Sequence, residues 1–255
     1  MEKDIKRLGK LFSKIDGFAS TPKRWRNIAL AQEAFEFMTT RLPLRVEGEL
    51  SPYTRVRLLD MMMECVDELD VPRFALKVRE YQLSMRALID DAQDLATDAA
   101  FDDYEGETEG YRRQLDIFDD VEHARRKLAD YIDPAVSDDE WMERYHVTLR
   151  FSPVERTEQW EEVIYEVKRR CYNKTRLSWR GMGFCFKYWS IKRDVLAAMG
   201  IDWQSPQEMK SSTPLSARNF AWNFGLHMAS CSSSGLTCLR PNSFLAKLQF
   251  LQQTL

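Results

Sequence analysis

The residues best suited to chemistry lie in the segment 167–193, where cationic and aromatic side chains are interleaved. This segment holds nine basic residues, six aromatic residues and no acidic residue. Cations neutralise phosphates and release counterions, while flat rings stack on unpaired bases. The segment therefore predicts contact with RNA or DNA that has some single-stranded character. The predicted contact residues are Lys168, Arg169, Arg170, Lys174, Arg176, Trp179, Arg180, Lys187 and Tyr188.

Two further interpretations of this segment stay open. In the first, the cations form the solvated face of a helix end and the aromatic rings belong to the core. In the second, the basic residues dock on the acidic stretch 90–143 of the same chain or of another copy. That stretch holds 5 basic and 19 acidic residues, a net charge of −14, whereas residues 144–193 carry a net charge of +7. The formal net charge of −3 thus conceals two opposed regions.

A second candidate for chemistry is the sequence His-Val-Thr-Leu at 146–149. A His-x-Thr on a strand, followed by an apolar residue, resembles half of the active-site signature of the 2H phosphoesterases, over about six residues. Members of that family use two such motifs to place two imidazoles beside a scissile phosphate as general acid and general base. The resemblance implies a catalytic role for His146. The later histidine, His227, is followed by Met-Ala, so the second motif lacks its threonine.

The other nucleophiles and metal-ligand types give weaker signals. Cys171 and Cys185 lie near basic residues, which predicts a lowered thiol pKa, but neither has a recognisable histidine partner. His227, Cys231 and Cys238 lack the Cys-x-x-Cys pair typical of a structural metal site. The sequence has no Walker loop, dinucleotide-binding glycine fingerprint, nucleophile elbow or His-Glu-x-x-His. We therefore expect a non-enzymatic binding protein with no cofactor and no metal.

Composition excludes a collagen-like chain, a wholly disordered chain, a small disulfide-rich scaffold and an integral membrane protein. The 255 residues are 44% hydrophobic and 30% charged, as in an ordinary globular domain. No apolar run approaches the roughly 20 residues that span a bilayer. No apolar segment follows the charged residues at the start, as a secretory signal would require, and five irregularly spaced cysteines favour reduced thiols. The expected location is the cytoplasm, without a membrane partner.

Apolar periodicity predicts that the first half of the chain is helical. Apolar residues three or four positions apart predict a short helix over 5–15 that ends near Gly17. Thr21 and Ser51 are each followed by proline, which favours the first helical position, and they predict the starts of two further helices.

The clearest pattern predicts a helical hairpin over about 72–133. Apolar residues at alternating steps of four and three keep one helix face against a partner helix. The first seam consists of Phe74, Val78, Tyr81, Met85, Leu88, Ala92, Leu95 and Ala99, and the second of Ile117, Val121, Ala124, Leu128 and Tyr131. The acidic stretch 101–110, with two glycines, separates the seams. Two such helices would lie antiparallel and offer a surface for self-association or for a protein partner.

The second half of the chain mixes strand and helix signals. The alternating residues 145–151 predict a strand, and the aromatic residues 177–189 predict a second strand or hairpin. Helices are predicted after Thr157 and over 191–199, the latter closed by Gly200. The predicted fold class is mainly α: an N-terminal helical bundle with a long antiparallel helical hairpin, followed by a small α+β C-terminal part.

These patterns divide the chain into a helical domain (1–134), a small basic and aromatic α+β domain (135–208) and a tail (209–255). The tail has no Asp or Glu in 47 residues. It is either an apolar subdomain or partner-binding tail, or a stretch that never evolved as protein, such as a frameshifted end. The predicted function is a cytosolic, non-enzymatic protein whose segment 167–193 contacts nucleic acid. The alternatives are a structural protein that self-assembles or docks partners through its acidic hairpin and basic block, and a 2H-phosphoesterase-like enzyme that uses His146.

Overall fold

The computed structural model describes residues 2–42, 44, 50–89, 107–175 and 184–209. These residues fall into two units, one ending at Ile132 and the other beginning at Asp133. The described ranges contain eight α-helices and no strand, which confirms the prediction of a mainly helical protein. Among these residues, no helix is both long enough and apolar enough to cross a lipid bilayer. The predicted tail lies outside the described ranges except for Met209.

The N-terminal unit is built from five described α-helices. They are α1 (Glu2–Ala19), α2 (Asn27–Arg41), α3 (Pro52–Glu64), α4 (Pro72–Met85) and α5 (Glu107–Ile132). Three 3₁₀ helices accompany them, at Arg24–Arg26, Glu68–Asp70 and Arg86–Leu88. Helix α1 packs on α2 and α3, α3 packs on α4, and α4 packs on α5.

The two predicted helix starts have different outcomes. The Ser51 hydroxyl accepts a hydrogen bond from the N–H of Thr54 at 3.2 Å and caps α3, whose first residue is a proline, so this prediction is confirmed. The Thr21 hydroxyl instead donates to the carbonyl of Phe18 at 3.0 Å, near the end of α1. Helix α2 begins only at Asn27, after a 3₁₀ helix, so Thr21 closes one helix rather than starting the next.

Two buried arginines connect the helices of this unit. Arg55 is 1% exposed, and its guanidinium donates to three backbone carbonyls. The acceptors are Met38, Leu42 and Leu50, at 3.1 to 3.2 Å. Arg79 donates to the carboxylates of Asp60 at 2.7 Å and Glu68 at 2.9 Å, and thereby joins α3, a 3₁₀ helix and α4. These bonds compensate for the desolvation of two buried charges.

The two helices predicted as a hairpin, α4 and α5, pack against each other. Helix α5 buries Val121, Leu128 and Tyr131, three of its predicted seam residues. The first seam ends earlier than predicted, because α4 stops at Met85, a 3₁₀ helix follows, and Leu88 is 38% exposed. The rest of that seam lies outside the described residues.

The C-terminal unit contains three described α-helices: α6 (Asp138–Arg144), α7 (Glu158–Thr175) and α8 (Phe184–Ala197). A 3₁₀ helix at Pro153–Arg156 precedes α7, and α7 packs against α8. The predicted helix after Thr157 is confirmed, since the Thr157 hydroxyl accepts a hydrogen bond from the N–H of Trp160 at 3.3 Å.

The strand predicted over 145–151 is wrong, because α6 ends there in a Schellman motif. The N–H of Val147 donates to the carbonyl of Met142 at 2.9 Å, and the N–H of His146 donates to that of Glu143 at 3.3 Å. His146 takes the left-handed backbone conformation of this motif, with φ of 51°. Two backbone donors that a sheet would need are therefore used to close a helix.

The second predicted strand or hairpin, over 177–189, is helical in its described part. Residues from Phe184 onward belong to α8, and the others lie outside the described residues. The helix predicted over 191–199 thus begins earlier than expected, and its last residue is Ala197. It is closed as predicted by Gly200, where φ is 75°, in a second Schellman motif: the N–H of Ile201 donates to the carbonyl of Leu196 and that of Gly200 to the carbonyl of Ala197, both at 3.0 Å. The described residues of the C-terminal unit therefore give no support for an α+β part.

Candidate nucleic-acid interface

Helix α7 positions most of the described cations of the candidate segment. One face of this helix is buried and carries a ridge with a spacing of three or four residues, as expected for a helix that packs on a core. The ridge consists of Trp160, Ile164, Val167 and Cys171. The opposite face of α7 is left to solvent.

The nine predicted contact residues have three different fates. Those exposed to solvent are Arg169, Arg170 and Lys174 on α7 and Lys187 on α8. Lys168 and Tyr188 are half-buried. Arg176, Trp179 and Arg180 lie outside the described residues. The structure therefore brings three exposed cations together on the last two turns of α7.

Charge is segregated along the axis of α7. Its first half carries the acidic residues Glu158, Glu161, Glu162 and Glu166, and its second half carries the cations. This order complements the helix macrodipole, which favours anions near the N-terminus and cations near the C-terminus. The cationic end of α7 is thus consistent with an ordinary stable helix, with or without a ligand.

Glu166 holds the two central arginines in place. Its carboxylate accepts hydrogen bonds from Arg169 at 2.7 and 2.8 Å and from Arg170 at 2.7 Å. These bonds, first from Arg169 and then from Arg170, lower the pKa of Glu166 to about 2. The pairing leaves the side chains of Arg169 and Arg170 51% and 47% exposed. Since a guanidinium has five N–H donors, both arginines keep donors that Glu166 does not use.

Lys192 belongs to the same basic segment, but it is part of the core. Its side chain is 12% exposed, and its Nζ donates to the carboxylate of Glu155 at 2.9 Å. The Nζ also lies 4.6 Å from the ring centroid of Trp160 and 4.4 Å from that of Trp203. The indole N–H of Trp203 donates to the same carboxylate. Lys192 therefore anchors α8 and the residues after it to α7, and it is not available to a polyanion.

Arg193, the next residue of α8, also pairs with a carboxylate, but at the surface. Its guanidinium donates to Glu208 at 2.6 Å. The Glu208 carboxylate also accepts the backbone N–H and the hydroxyl of Ser205, both at 2.8 Å. These hydrogen bonds, led by the backbone N–H of Ser205, lower the pKa of Glu208. The cation and its carboxylate together close the turn after α8.

Phe186 is an exposed aromatic residue that the sequence did not single out. Its side chain is 42% exposed, and its ring meets that of Trp189 edge to face, with centroids 5.6 Å apart. Tyr188, which was predicted to stack on bases, is half-buried. The helical period of 184–197 would have put Phe186 and Tyr188 on different faces, but the region was interpreted as a strand.

The two thiols of this segment are not activated. Burial raises the pKa of Cys171, and this effect exceeds the opposing influence of Lys192, Lys174 and Lys168. Burial also raises the pKa of Cys185. The prediction of lowered thiol pKa values is therefore wrong, since desolvation outweighs the nearby positive charges.

His146 does not occupy the strand that the phosphoesterase resemblance implies. It is exposed at the end of α6, and His227 lies outside the described residues. Within the described ranges, no three His, Cys, Asp or Glu side chains are grouped closely enough to hold a metal ion.

No protein-family model matches this chain, and neither a curated protein nor a solved structure is significantly similar to it.

Proposed function

We propose that this protein is a non-enzymatic nucleic-acid-binding protein and that the cationic end of α7 contacts the phosphate backbone. The observation that supports this proposal is the group of three exposed cations, Arg169, Arg170 and Lys174, on the solvent face of a helix whose other face is buried. A fourth exposed cation, Lys187, lies on the neighbouring helix α8. Arg176, Trp179 and Arg180 stay predictions of the sequence.

The chemistry of these side chains suits a phosphate backbone. Arg169 and Arg170 present planar N–H donors that can bind phosphate oxygens in pairs, and Lys174 adds a point charge. The exposed ring of Phe186 can stack on an unpaired base. Each phosphate that is neutralised releases counterions, so affinity should fall as salt rises, with a slope of about 0.7 per contact on a single strand.

Glu166 gives this proposal a test with a definite sign. Its carboxylate orients Arg169 and Arg170, but it also places a negative charge where phosphate would bind. Glu166→Gln removes that charge and keeps a side chain of the same size. We therefore expect this variant to bind labelled single-stranded RNA more tightly than the wild-type protein in fluorescence anisotropy titrations.

The decisive variant reverses the charge of both arginines, Arg169→Glu/Arg170→Glu. A matched control is Arg126→Glu/Arg144→Glu, because each of these exposed arginines also pairs with a glutamate four residues earlier. The test variant should bind RNA of any sequence more weakly and with a flatter salt dependence, whereas the control should match the wild-type salt dependence. Equal affinity and slope in the two double variants would refute the proposed contact.

A second candidate function is self-assembly through opposed charges. It is favoured by the engagement of Arg169 and Arg170 with a carboxylate of their own helix and by exposed acids elsewhere, such as Asp119, Asp120 and Asp139. In this case the purified protein should associate without nucleic acid, and light scattering should detect complexes that dissociate as salt rises. A monomer at all salt concentrations would exclude this alternative.

A further inference from the structure

Helix α1 carries a continuous cationic stripe on its solvent face. Five exposed basic residues recur every three or four positions along the helix, the spacing that places side chains on one face. They are Lys3, Lys6, Arg7, Lys10 and Lys14, called here the α1 stripe. At 1.5 Å per residue, the stripe extends over about 16 Å.

The opposite face of α1 belongs to the core of the N-terminal unit. Its buried side chains are Ile5, Leu8, Leu11, Phe12 and Ile15. Helix α1 packs on α2 and α3, so this apolar face is covered. The α1 stripe is therefore held in a fixed row on a packed helix.

Most of this positive charge is not neutralised by neighbouring carboxylates. Lys3, Lys10 and Lys14 form no hydrogen bond or ion pair with another residue that the structure describes. Arg7 pairs with Glu33 at 3.3 Å, but both side chains are exposed, so water and salt screen this pair. The Arg7 guanidinium also lies 4.8 Å from the ring centroid of Phe37, which fixes its direction.

We propose that the α1 stripe binds the sugar-phosphate backbone of double-stranded nucleic acid. A duplex presents a regular row of phosphates along each strand, and a straight row of cations about 16 Å long can neutralise several of them. The exposed positions beside the cations are Ser13, between Lys10 and Lys14, and Gly17, one turn after Lys14. Neither offers a ring for stacking, so contact is with the backbone and independent of sequence. This surface lies outside the segment 167–193, and the inference does not depend on the function proposed for that segment.

A membrane surface is a less suitable partner for the α1 stripe. Interfacial helices bind lipid by inserting an apolar face between the headgroups, and electrostatic attraction is added to that insertion. The apolar face of α1 is covered by α2 and α3, so only the charges would contribute.

The test compares two variants that lose the same charge. Lys10→Gln/Lys14→Gln removes two cations of the α1 stripe, and Lys77→Gln/Arg126→Gln removes two exposed cations elsewhere in the same unit. Both are measured by fluorescence anisotropy with two short DNA duplexes of unrelated sequence, across a salt series, after circular dichroism has verified equal helix content. In the stripe variant, the plot of log K against log salt should be less steep by about 1.8 on both duplexes, which is about 0.9 per lost contact. The control should keep the wild-type slope.

Several results would overturn this inference. The first is an equal salt slope in the stripe variant and its control, and the second is no binding of either duplex by the wild-type protein at low salt. The third is a stripe variant that binds the duplexes like the wild-type protein and loses binding only to vesicles that contain phosphatidylserine. The charge-reversal variant Arg169→Glu/Arg170→Glu, measured on the same duplexes and on single-stranded RNA, separates the two proposals. If that variant binds RNA more weakly while the stripe variant keeps the wild-type salt slope on the duplexes, the α1 stripe alone is refuted. If the stripe variant has the smaller salt slope while Arg169→Glu/Arg170→Glu binds RNA like the wild-type protein, the α7 contact alone is refuted.

Discussion

Lys192 donates a hydrogen bond of 2.9 Å to Glu155, and its ammonium group lies over the indole rings of both Trp160 and Trp203. Both charged groups are almost completely buried. The pair is satisfied because the carboxylate also accepts the Trp203 indole N–H, while the two rings face the ammonium group. Lys192 belongs to the basic segment by sequence, but in the folded protein it is a buried residue of the C-terminal unit.

Lys192→Met should therefore destabilise the C-terminal unit. The change leaves the Glu155 carboxylate buried without its counter-ion, and breaking such a pair costs about 3 kcal/mol. Urea unfolding followed by tryptophan fluorescence should record the loss, and hydrogen exchange should assign it to α7 and α8. Lys187→Met, on the exposed surface of the same helix, should change the free energy of unfolding by less than about 0.5 kcal/mol. Equal effects of the two changes would contradict the buried pair.

The lowered pKa of Glu166 predicts a pH dependence with a definite direction. Its pKa is about 2 in the folded protein and 4.5 ordinarily, so the pairing stabilises the folded state above pH 4.5. That contribution is lost as the pH falls from about 4.5 to about 2. It should stay below about 1 kcal/mol because the pair is at the surface. An NMR titration of the Glu166 carboxyl should show a midpoint near 2 that returns toward 4.5 in Arg169→Gln/Arg170→Gln. A wild-type midpoint near 4.5 would show that the hydrogen bonds do not persist in solution.

The two Schellman motifs predict stability changes of opposite sign. His146 and Gly200 both have positive φ, but only glycine adopts this conformation without steric cost. His146→Gly should raise the free energy of unfolding by about 0.5 kcal/mol, whereas Gly200→Ala should lower it by about 1 kcal/mol. Thermal unfolding of both variants beside His146→Ala checks the interpretation. If the alanine and glycine variants at 146 are equally stable, the left-handed conformation is not the cause.

Arg79 predicts a large loss of stability in the N-terminal unit. Arg79→Met leaves the carboxylates of Asp60 and Glu68 without the buried guanidinium that both of them contact, and should cost roughly 2–4 kcal/mol. Lys77→Met, on the same helix and exposed, should have little effect on the thermal midpoint. A similar shift in both variants would mean that Arg79 contributes no more than a surface cation.

Periodicity predicted the helices well where one face is buried against a neighbour. The seam of α5, with Val121, Leu128 and Tyr131, is an example. Periodicity failed at 145–151. The β-branched and aromatic residues there favour a strand, but the backbone hydrogen bonds that close α6 determine their conformation. Gly200 was recognisable as a helix end from its residue type, whereas His146 in the equivalent position was not.

The candidate site was predictable in its charge but not in its accessibility. Glu166 precedes Arg169 and Arg170 by three and four residues, so this pairing could have been predicted once the helix was placed. The burial of Lys192 could not, because it depends on Glu155 and Trp203, which are distant in sequence. The α1 stripe was not predicted, although the spacing of its basic residues can be found in the sequence, because their exposure follows from the packing of α1 on α2.

The bond between Glu155 and the indole of Trp203 joins residues 48 positions apart, and this separation determines how the protein can be dissected. The backbone N–H of Gln204 also donates a hydrogen bond to the hydroxyl of Ser152, at 3.2 Å. A recombinant fragment that stops after α8 would contain all the cations of the basic segment but would leave Lys192 and Glu155 open to water on one side. Fragments made for spectroscopy should therefore begin before Ser152 and extend at least through Glu208.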